Sequence, residues 1–214
     1  MPVRSDIQKR GDTMFTALQA LLNTWAVSFD LPILEWIQAH LQNGFLDTIM
    51  PIITLFGDGG VFWIAVAVLL LCFAKYRKTG FSMGMALILG LLVCNIILKP
   101  QVARIRPYDF QLQEYGKEIA LLIKAQHDFS FPSGHTIASF EACTVLMLHD
   151  KRMGIPATIL AILIAFSRLY LYVHYPTDVL VSLVLGILFG ILGNFLVDLI
   201  YKKWVYKGKY ADQE

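Results

Sequence analysis

Five apolar stretches, each close to the length an α-helix needs to cross a bilayer, dominate this 214-residue sequence. They run from about Gly59 to Tyr76, Thr79 to Leu98, Ser133 to His149, Gly154 to Val173, and Pro176 to Tyr201. A helix rises 1.5 Å per residue, so roughly 20 apolar residues cover a hydrocarbon core about 30 Å thick. Composition points the same way, since 57% of residues are hydrophobic and only 16% charged, far from the average of a soluble domain. The formal net charge of +2 gives no footprint for nucleic acid. Cys72, Cys94 and Cys143 all fall inside apolar runs, where they read as core residues rather than as a disulfide framework or a zinc site. No cleavable signal peptide is read, because Arg4, Lys9 and Arg10 are followed by a mixed segment instead of a clean apolar one.

Basic residues in short loops set the orientation. Lys75, Arg77 and Lys78 follow the first stretch, Lys151 and Arg152 the third, and Lys202, Lys203, Lys207 and Lys209 the last. These segments belong in the cytoplasm. Alternation then carries the long polar connection from Lys99 to Pro132 and the turn around His174 to the outer face. Before Gly59 the pattern is mixed: Thr13 to Phe29 and Leu31 to Leu41 are apolar but interrupted by polar residues, Glu35 and His40 among them. An amphipathic interfacial helix fits this region better than a sixth span, although Arg4, Lys9 and Arg10 would hold an N-terminus inside if Thr13 to Gly57 did cross. The expected fold is therefore an all-α polytopic transmembrane bundle of five to six spans with an N-terminal amphipathic helix. Residues 1–57 form the interfacial region, 58–201 the core, and 202–214 a basic cytoplasmic tail.

Three polar clusters meet on the outer face in this topology. The first, KPQVARIRP, places Lys99, Arg104 and Arg106 where orientation rules disfavour positive charge; snorkelling side chains at a helix end would be the plain explanation. The second, FPSGHT, has Ser133 and Gly134 at a helix start, which presents free N–H groups to an anion, and His135 on the first turn. Ser133 by itself reads as an ordinary N-cap. The third, SRLYLYVHYPTD, contains Arg168, about 9 Å below His174 if the helix continues between them. A cation at that depth is costly and hence a functional candidate. Asp178 follows His174 by four residues, with Pro176 suited to the first helical turn, so its carboxylate can reach back to one imidazole nitrogen. Two histidines, several cations and a helix N-terminus on one face suit phosphoryl transfer, in which catalysis rests on holding and neutralising a compact polyanion.

These clusters resemble the three-part signature of the type 2 phosphatidic acid phosphatase family, K-x6-RP, PSGH and SR-x5-H-x3-D, over about Gly57 to Tyr201. Each fixed position is present: Lys99, Arg106 and Pro107; Pro132, Ser133, Gly134 and His135; Ser167, Arg168, His174 and Asp178. The resemblance implies a membrane lipid phosphatase in which His174 attacks phosphorus, Asp178 orients it, and His135 protonates the departing oxygen. Lys99, Arg106, Ser133, Gly134 and Arg168 would bind the phosphoryl oxygens, with no magnesium or other cofactor. Transfer to a lipid or sugar acceptor would use the same phosphoenzyme. Vanadium haloperoxidases share the anion-binding constellation but are soluble, and a non-catalytic lipid-binding or transport bundle has no need of both histidines and Asp178. Phosphatidic acid, phosphatidylglycerol phosphate and undecaprenyl diphosphate are the expected kinds of lipid phosphate substrate, and the oligomeric state is not readable. Outside the signature, Glu141 reads as a protonated, hydrogen-bonded structural residue or as a lining of the phosphate pocket, the first preferred. Asn95 is placed to brace Lys99, while Asn194 and Asp198 suit packing or the interface.

Overall fold

The computed structural model describes residues 17–206, and all regular structure among them is helical. Arg4, Lys9, Arg10, Lys207 and Lys209 lie outside the described residues. Helix α1 covers residues 17–41 and widens to a π-helix over Ala26–Asp30. It is followed by α2 (Gly44–Leu55), α3 (Val61–Cys72) and α4, which starts as Arg77–Gly90 and continues through a π-helical Leu91–Leu98 into a last turn, Lys99–Val102. Then come α5 (Pro107–Tyr115), α6 (Gly134–His149), α7 (Lys151–Tyr170) and α8 (Pro176–Ile200). The ends obey local chemistry. The Asn43 side chain accepts from Leu46 N to cap α2, Asp150 does the same for Arg152 N on α7, and prolines open α5 and α8, where a missing N–H costs nothing.

Among the described residues, four stretches are long and apolar enough to cross a membrane: Gly44–Cys72, Arg77–Tyr115, Lys151–Tyr170 and Pro176–Lys203. They contain the second and fifth expected spans and overlap most of the first and fourth, which end earlier than expected, at Cys72 and Tyr170. The expected third, α6, has only 16 residues, or about 24 Å of rise, and is the most enclosed helix of the bundle. It packs against α4, α7 and α8 and buries Ile137, Phe140, Ala142, Cys143, Val145 and Leu146. Close approach of α8 to α6 depends on Gly186, where a Cβ would lie 2.9 Å from the Ile137 carbonyl oxygen; small residues commonly let membrane helices meet this tightly. The outward faces carry exposed Ile64, Val68, Ile88, Ile159, Val184 and Leu188, a surface suited to lipid. Cys72 also lies exposed, whereas Cys94 and Cys143 are buried, so only two of the three cysteines are core residues.

The first expected span, Gly59 to Tyr76, is α3, which ends earlier, at Cys72. A further helix, α2, precedes it in the region read as interfacial, and the turn Gly57-Asp58-Gly59-Gly60 separates the two. Gly59 and Gly60 have φ of 56° and 68°, a left-handed conformation open mainly to glycine. Helix α1 runs before this pair. It buries one stripe, Leu22, Ala26, Asp30, Leu31, Leu34 and Ile37, and this stripe includes a fully buried carboxylate. At the end of the bundle away from His135 and His174, a 2.5 Å ion pair from Lys78 to Asp198 joins the start of α4 to the last turns of α8, and Asn194 Oδ1 accepts from Ser82 and meets His149 Nε2. Both residues thus join helices to one another.

Candidate active site

The three clusters converge on one cavity of about 710 Å³. Lys99, Arg106, Gly134, His135, Arg168 and His174 all line it. Lys99 sits on the last turn of α4, after which Ala103 adopts φ 47° and redirects the chain. Arg106 is held at the start of α5: its Nη1 donates to Val173 O at 2.7 Å and lies 3.3 Å from His174 Nε2. Arg168 Nη1 donates to Thr54 Oγ1 at 2.5 Å, and its buried Nε has no hydrogen-bond partner.

His174 does not stand a helical length above Arg168. Helix α7 ends at Tyr170, Tyr172 takes φ 59°, and Val173 N bonds back to Arg168 O. This folded connection brings His174 into the cavity with Arg168, so the 9 Å separation expected of a continuous helix does not apply. Burial pushes the His174 imidazole well below its usual pKa, and Arg106, Arg168 and Lys99 act in the same direction. The ring is a neutral base at neutral pH. Arg106 lies against Nε2, while the buried Nδ1, turned toward Asp178, has no hydrogen-bond partner.

Two signature residues stand back from the cavity wall. Ser133 is fully buried; its backbone N–H donates to Ser182 Oγ at 2.8 Å and its hydroxyl accepts from Thr136 at 3.0 Å. Asp178 is also fully buried, with Oδ2 3.5 Å from His174 Nδ1, too long for a good hydrogen bond. Its oxygens are taken by Arg104 Nη1 at 2.5 Å, by the Ser130 hydroxyl and by Tyr175 N at 3.0 Å. Arg104 therefore faces away from the phosphate site. Its Nη2 pairs with Asp30 at 2.7 Å, its guanidinium lies 3.7 Å from the Tyr175 ring centroid, and Asp30 in turn accepts from the Thr177 N–H and hydroxyl. Through Asp30, α1 anchors the support of Asp178.

Three further acids belong to this region. Asp128 bridges two cations of the signature, at 2.5 Å from both Lys99 Nζ and Arg106 Nη2. Burial alone would raise its pKa, but Lys99 and Arg106 hold it well below the usual carboxylate range. Lys99 is thus held by Asp128, and Asn95 lies instead against Gly134. Asp58 meets His135 Nε2 at 2.6 Å. Glu141 lines the inner part of the cavity, packed against Gly90. An acid at the start of an otherwise apolar span was the signal that could have found Asp58; Asp128, in a polar loop, gave none.

A family model for the PAP2 superfamily matches residues 76–199. The chain belongs to this superfamily. It is 33% identical over 161 residues to an undecaprenyl-diphosphatase from Sulfolobus acidocaldarius, covering 75% of this chain and 74% of that one. The undecaprenyl-diphosphatase BcrC of Bacillus subtilis is 31% identical, with 74% and 79% covered. Among solved structures, the transmembrane PAP2-type phosphatidylglycerolphosphate phosphatase from Bacillus subtilis superposes with a TM-score of 0.66 at 28% identity, covering 90% of this chain and 94% of that one. This PAP2 chain is a multi-pass membrane protein and a lipid phosphatase, a phosphoric ester or diphosphate hydrolase.

Proposed function

We propose that this protein hydrolyses a prenyl diphosphate or a related lipid phosphate at the outer face of the cytoplasmic membrane, through a phosphohistidine and without a metal. The observation that carries this reading is the cavity in which Lys99, Arg106 and Arg168 surround a buried His174 with His135 opposite. Three fixed cations match the equatorial oxygens of a transferring phosphoryl group, where preorganised charge stabilises the transition state. His174 Nε2 attacks phosphorus; the bond to the leaving oxygen breaks, and His135 supplies that oxygen with a proton. Water then attacks the phosphohistidine, His135 takes its proton, and inorganic phosphate leaves with His174 restored.

Asp178 acts on His174 from 3.5 Å chiefly as a negative charge that favours the developing positive ring, and the Gly134 backbone borders the phosphate. Ser133, held by Ser182 and Thr136, shapes the start of α6. The preference for a diphosphate rests on the names of the two undecaprenyl-diphosphatases. The outward orientation rests on Lys75, Arg77, Lys78, Lys151, Arg152, Lys202 and Lys203, which fall in connections away from the site.

The test is phosphate release by detergent-purified protein in excess EDTA from undecaprenyl diphosphate, phosphatidylglycerol phosphate and phosphatidic acid, with His174→Ala alongside. Turnover that survives EDTA, is fastest on the diphosphate and vanishes in the variant supports the proposal. Loss of turnover in EDTA overturns the metal-free mechanism, and full activity in the variant overturns the phosphohistidine.

A further inference from the structure

The signature accounts for both histidines but not for what holds His135. That partner is Asp58, whose Oδ1 lies 2.6 Å from His135 Nε2. The turn that carries Asp58 is built around the contact. At Gly57 a Cβ would sit 2.6 Å from His135 Cδ2, so the backbone passes directly over the imidazole ring. Gly59 and Gly60 then take the left-handed conformations that let the chain enter α3. From below, the ring's helix is fixed by Trp63 Nε1 donating to Ser139 Oγ at 3.0 Å, while that hydroxyl donates to the His135 carbonyl at 2.7 Å.

We propose that Asp58 is a positioning residue for His135, fixing its ring and stabilising its imidazolium so that it can protonate an alkoxide leaving group. The inference deepens the hydrolase reading and rests on His135 being the proton donor. With Nε2–H given to Asp58, the other nitrogen, Nδ1, exchanges the proton with substrate, an arrangement in which a carboxylate stabilises the charged ring. His135 feels Asp58 from the turn, Arg168 from α7, Lys99 from α4 and His174 from the α7–α8 connection. Asp58 feels His135 and Arg168. Burial is the largest influence opposing protonation of the ring, and Arg168 and Lys99 add to it; among these charged groups facing His135 the only carboxylate, and the only one favouring the imidazolium, is Asp58.

The consequence depends on the leaving group. Cleaving a lipid phosphate monoester releases an alkoxide, a strong base that must receive a proton as the P–O bond breaks. Cleaving a prenyl diphosphate releases a phosphate monoester anion, a much weaker base, whose departure a proton from His135 accelerates far less. General-acid assistance contributes roughly 10²–10⁴-fold where a proton is required. The dyad thus equips the site for alkyl monoesters in addition to diphosphates.

The experiment compares wild type, Asp58→Asn, Asp58→Glu and His135→Gln on phosphatidic acid and farnesyl diphosphate in one detergent, with monodispersity and thermal unfolding checked for each. Asp58→Asn is expected to lose about 30-fold or more in kcat on phosphatidic acid and several-fold at most on farnesyl diphosphate, with part of the loss restored in Asp58→Glu. Removing the carboxylate lowers the imidazolium pKa, so the alkaline limb of the phosphatidic acid profile moves to lower pH. Adding Asp58→Asn to His135→Gln should cost little more, because both act on one proton. Equal losses on the two substrates, an unmoved alkaline limb, or additive losses in the double variant overturn the positioning role while leaving the hydrolase reading intact. A wild type that cleaves only the diphosphate also overturns it. A wild type inert on both substrates overturns the hydrolase reading, and this inference with it.

Discussion

Substrate phosphate and Asp128 compete for the same two cations, and removing the carboxylate measures that competition. Asp128 contacts Lys99 and Arg106 at 2.5 Å each, yet its side chain is 54% exposed. Each pair is therefore taken at the surface scale of about 0.5–1 kcal/mol after allowing for solvent screening. A phosphate that takes over both cations displaces roughly 1–2 kcal/mol of existing interaction, equivalent to about a 5- to 30-fold change in affinity. Asp128→Asn keeps the shape and removes the charge. The inhibition constant of inorganic phosphate or vanadate should tighten by that factor, and the difference should shrink in high salt. The pH sign follows from the depressed pKa of Asp128. Its carboxylate is ionised throughout the working range, and its stabilising contribution is lost only as pH falls through the folded value, below the ordinary carboxylate range. The variant's advantage should consequently persist across the activity profile. An unchanged inhibition constant would refute the competition; a weaker one would mean that Asp128 organises Lys99 and Arg106 for phosphate instead of opposing it.

The depressed pKa of His174 keeps the attacking ring unprotonated to lower pH, so the acid limb of kcat/KM should fall well below the usual imidazole value of about 6.5; a limb at or above it would refute a buried neutral nucleophile. Arg104→Ala leaves Asp30 and Asp178 buried without their shared cation, a loss of about 3–5 kcal/mol, read as a clearly lowered midpoint of thermal unfolding in detergent. A midpoint within measurement error of wild type would refute the clamp. In a chain whose own cysteines are replaced, Glu114→Cys should react with an impermeant maleimide added to intact cells and Lys151→Cys should not, with the reverse pattern refuting the outward orientation.

Local sequence revealed the residues whose chemistry is fixed by short spacing. Lys99 and Arg106 bracket one helix end, Gly134 and His135 open another, and apolar stretches long enough for a bilayer placed them at the same end of the bundle. What stayed hidden depended on tertiary contacts. Nothing in the segment from Leu31 to Leu41, or in the residues before it, marks Asp30 as the partner of Arg104, because the two are 74 positions apart and meet only after α1 packs beside α8. Spacing likewise made Arg104 look equivalent to Lys99 and Arg106. The left-handed Ala103 and a buried pair of acids turn it the other way. The glycine cluster Gly57-Asp58-Gly59-Gly60 marked where the first stretch begins, whereas the helix that runs up to it, α2, lay in a segment whose mixed polarity left its path open.

The four carboxylates bound to basic groups around the site fall into two classes with different physical roles. Asp30 and Asp178 are fully buried and share Arg104; separating such a group from its partner is too costly to occur during turnover, so this triad forms a fixed wall behind His174. Asp128 and Asp58 have side chains 54% and 57% exposed and contact Lys99, Arg106 and His135 on the cavity side. Water can solvate either carboxylate if it lets go, so each is exchangeable in a way the buried pair is not. Three cations, Lys99, Arg106 and Arg168, would otherwise repel one another across the pocket, and Asp128, 2.5 Å from both Lys99 and Arg106, offsets that repulsion. An incoming phosphate replaces that charge with its own. The exposed acids can thus keep an electropositive site stable while it is empty without making the phosphate bind against a permanent negative charge, whereas the buried acids preserve the geometry of the nucleophile through the exchange.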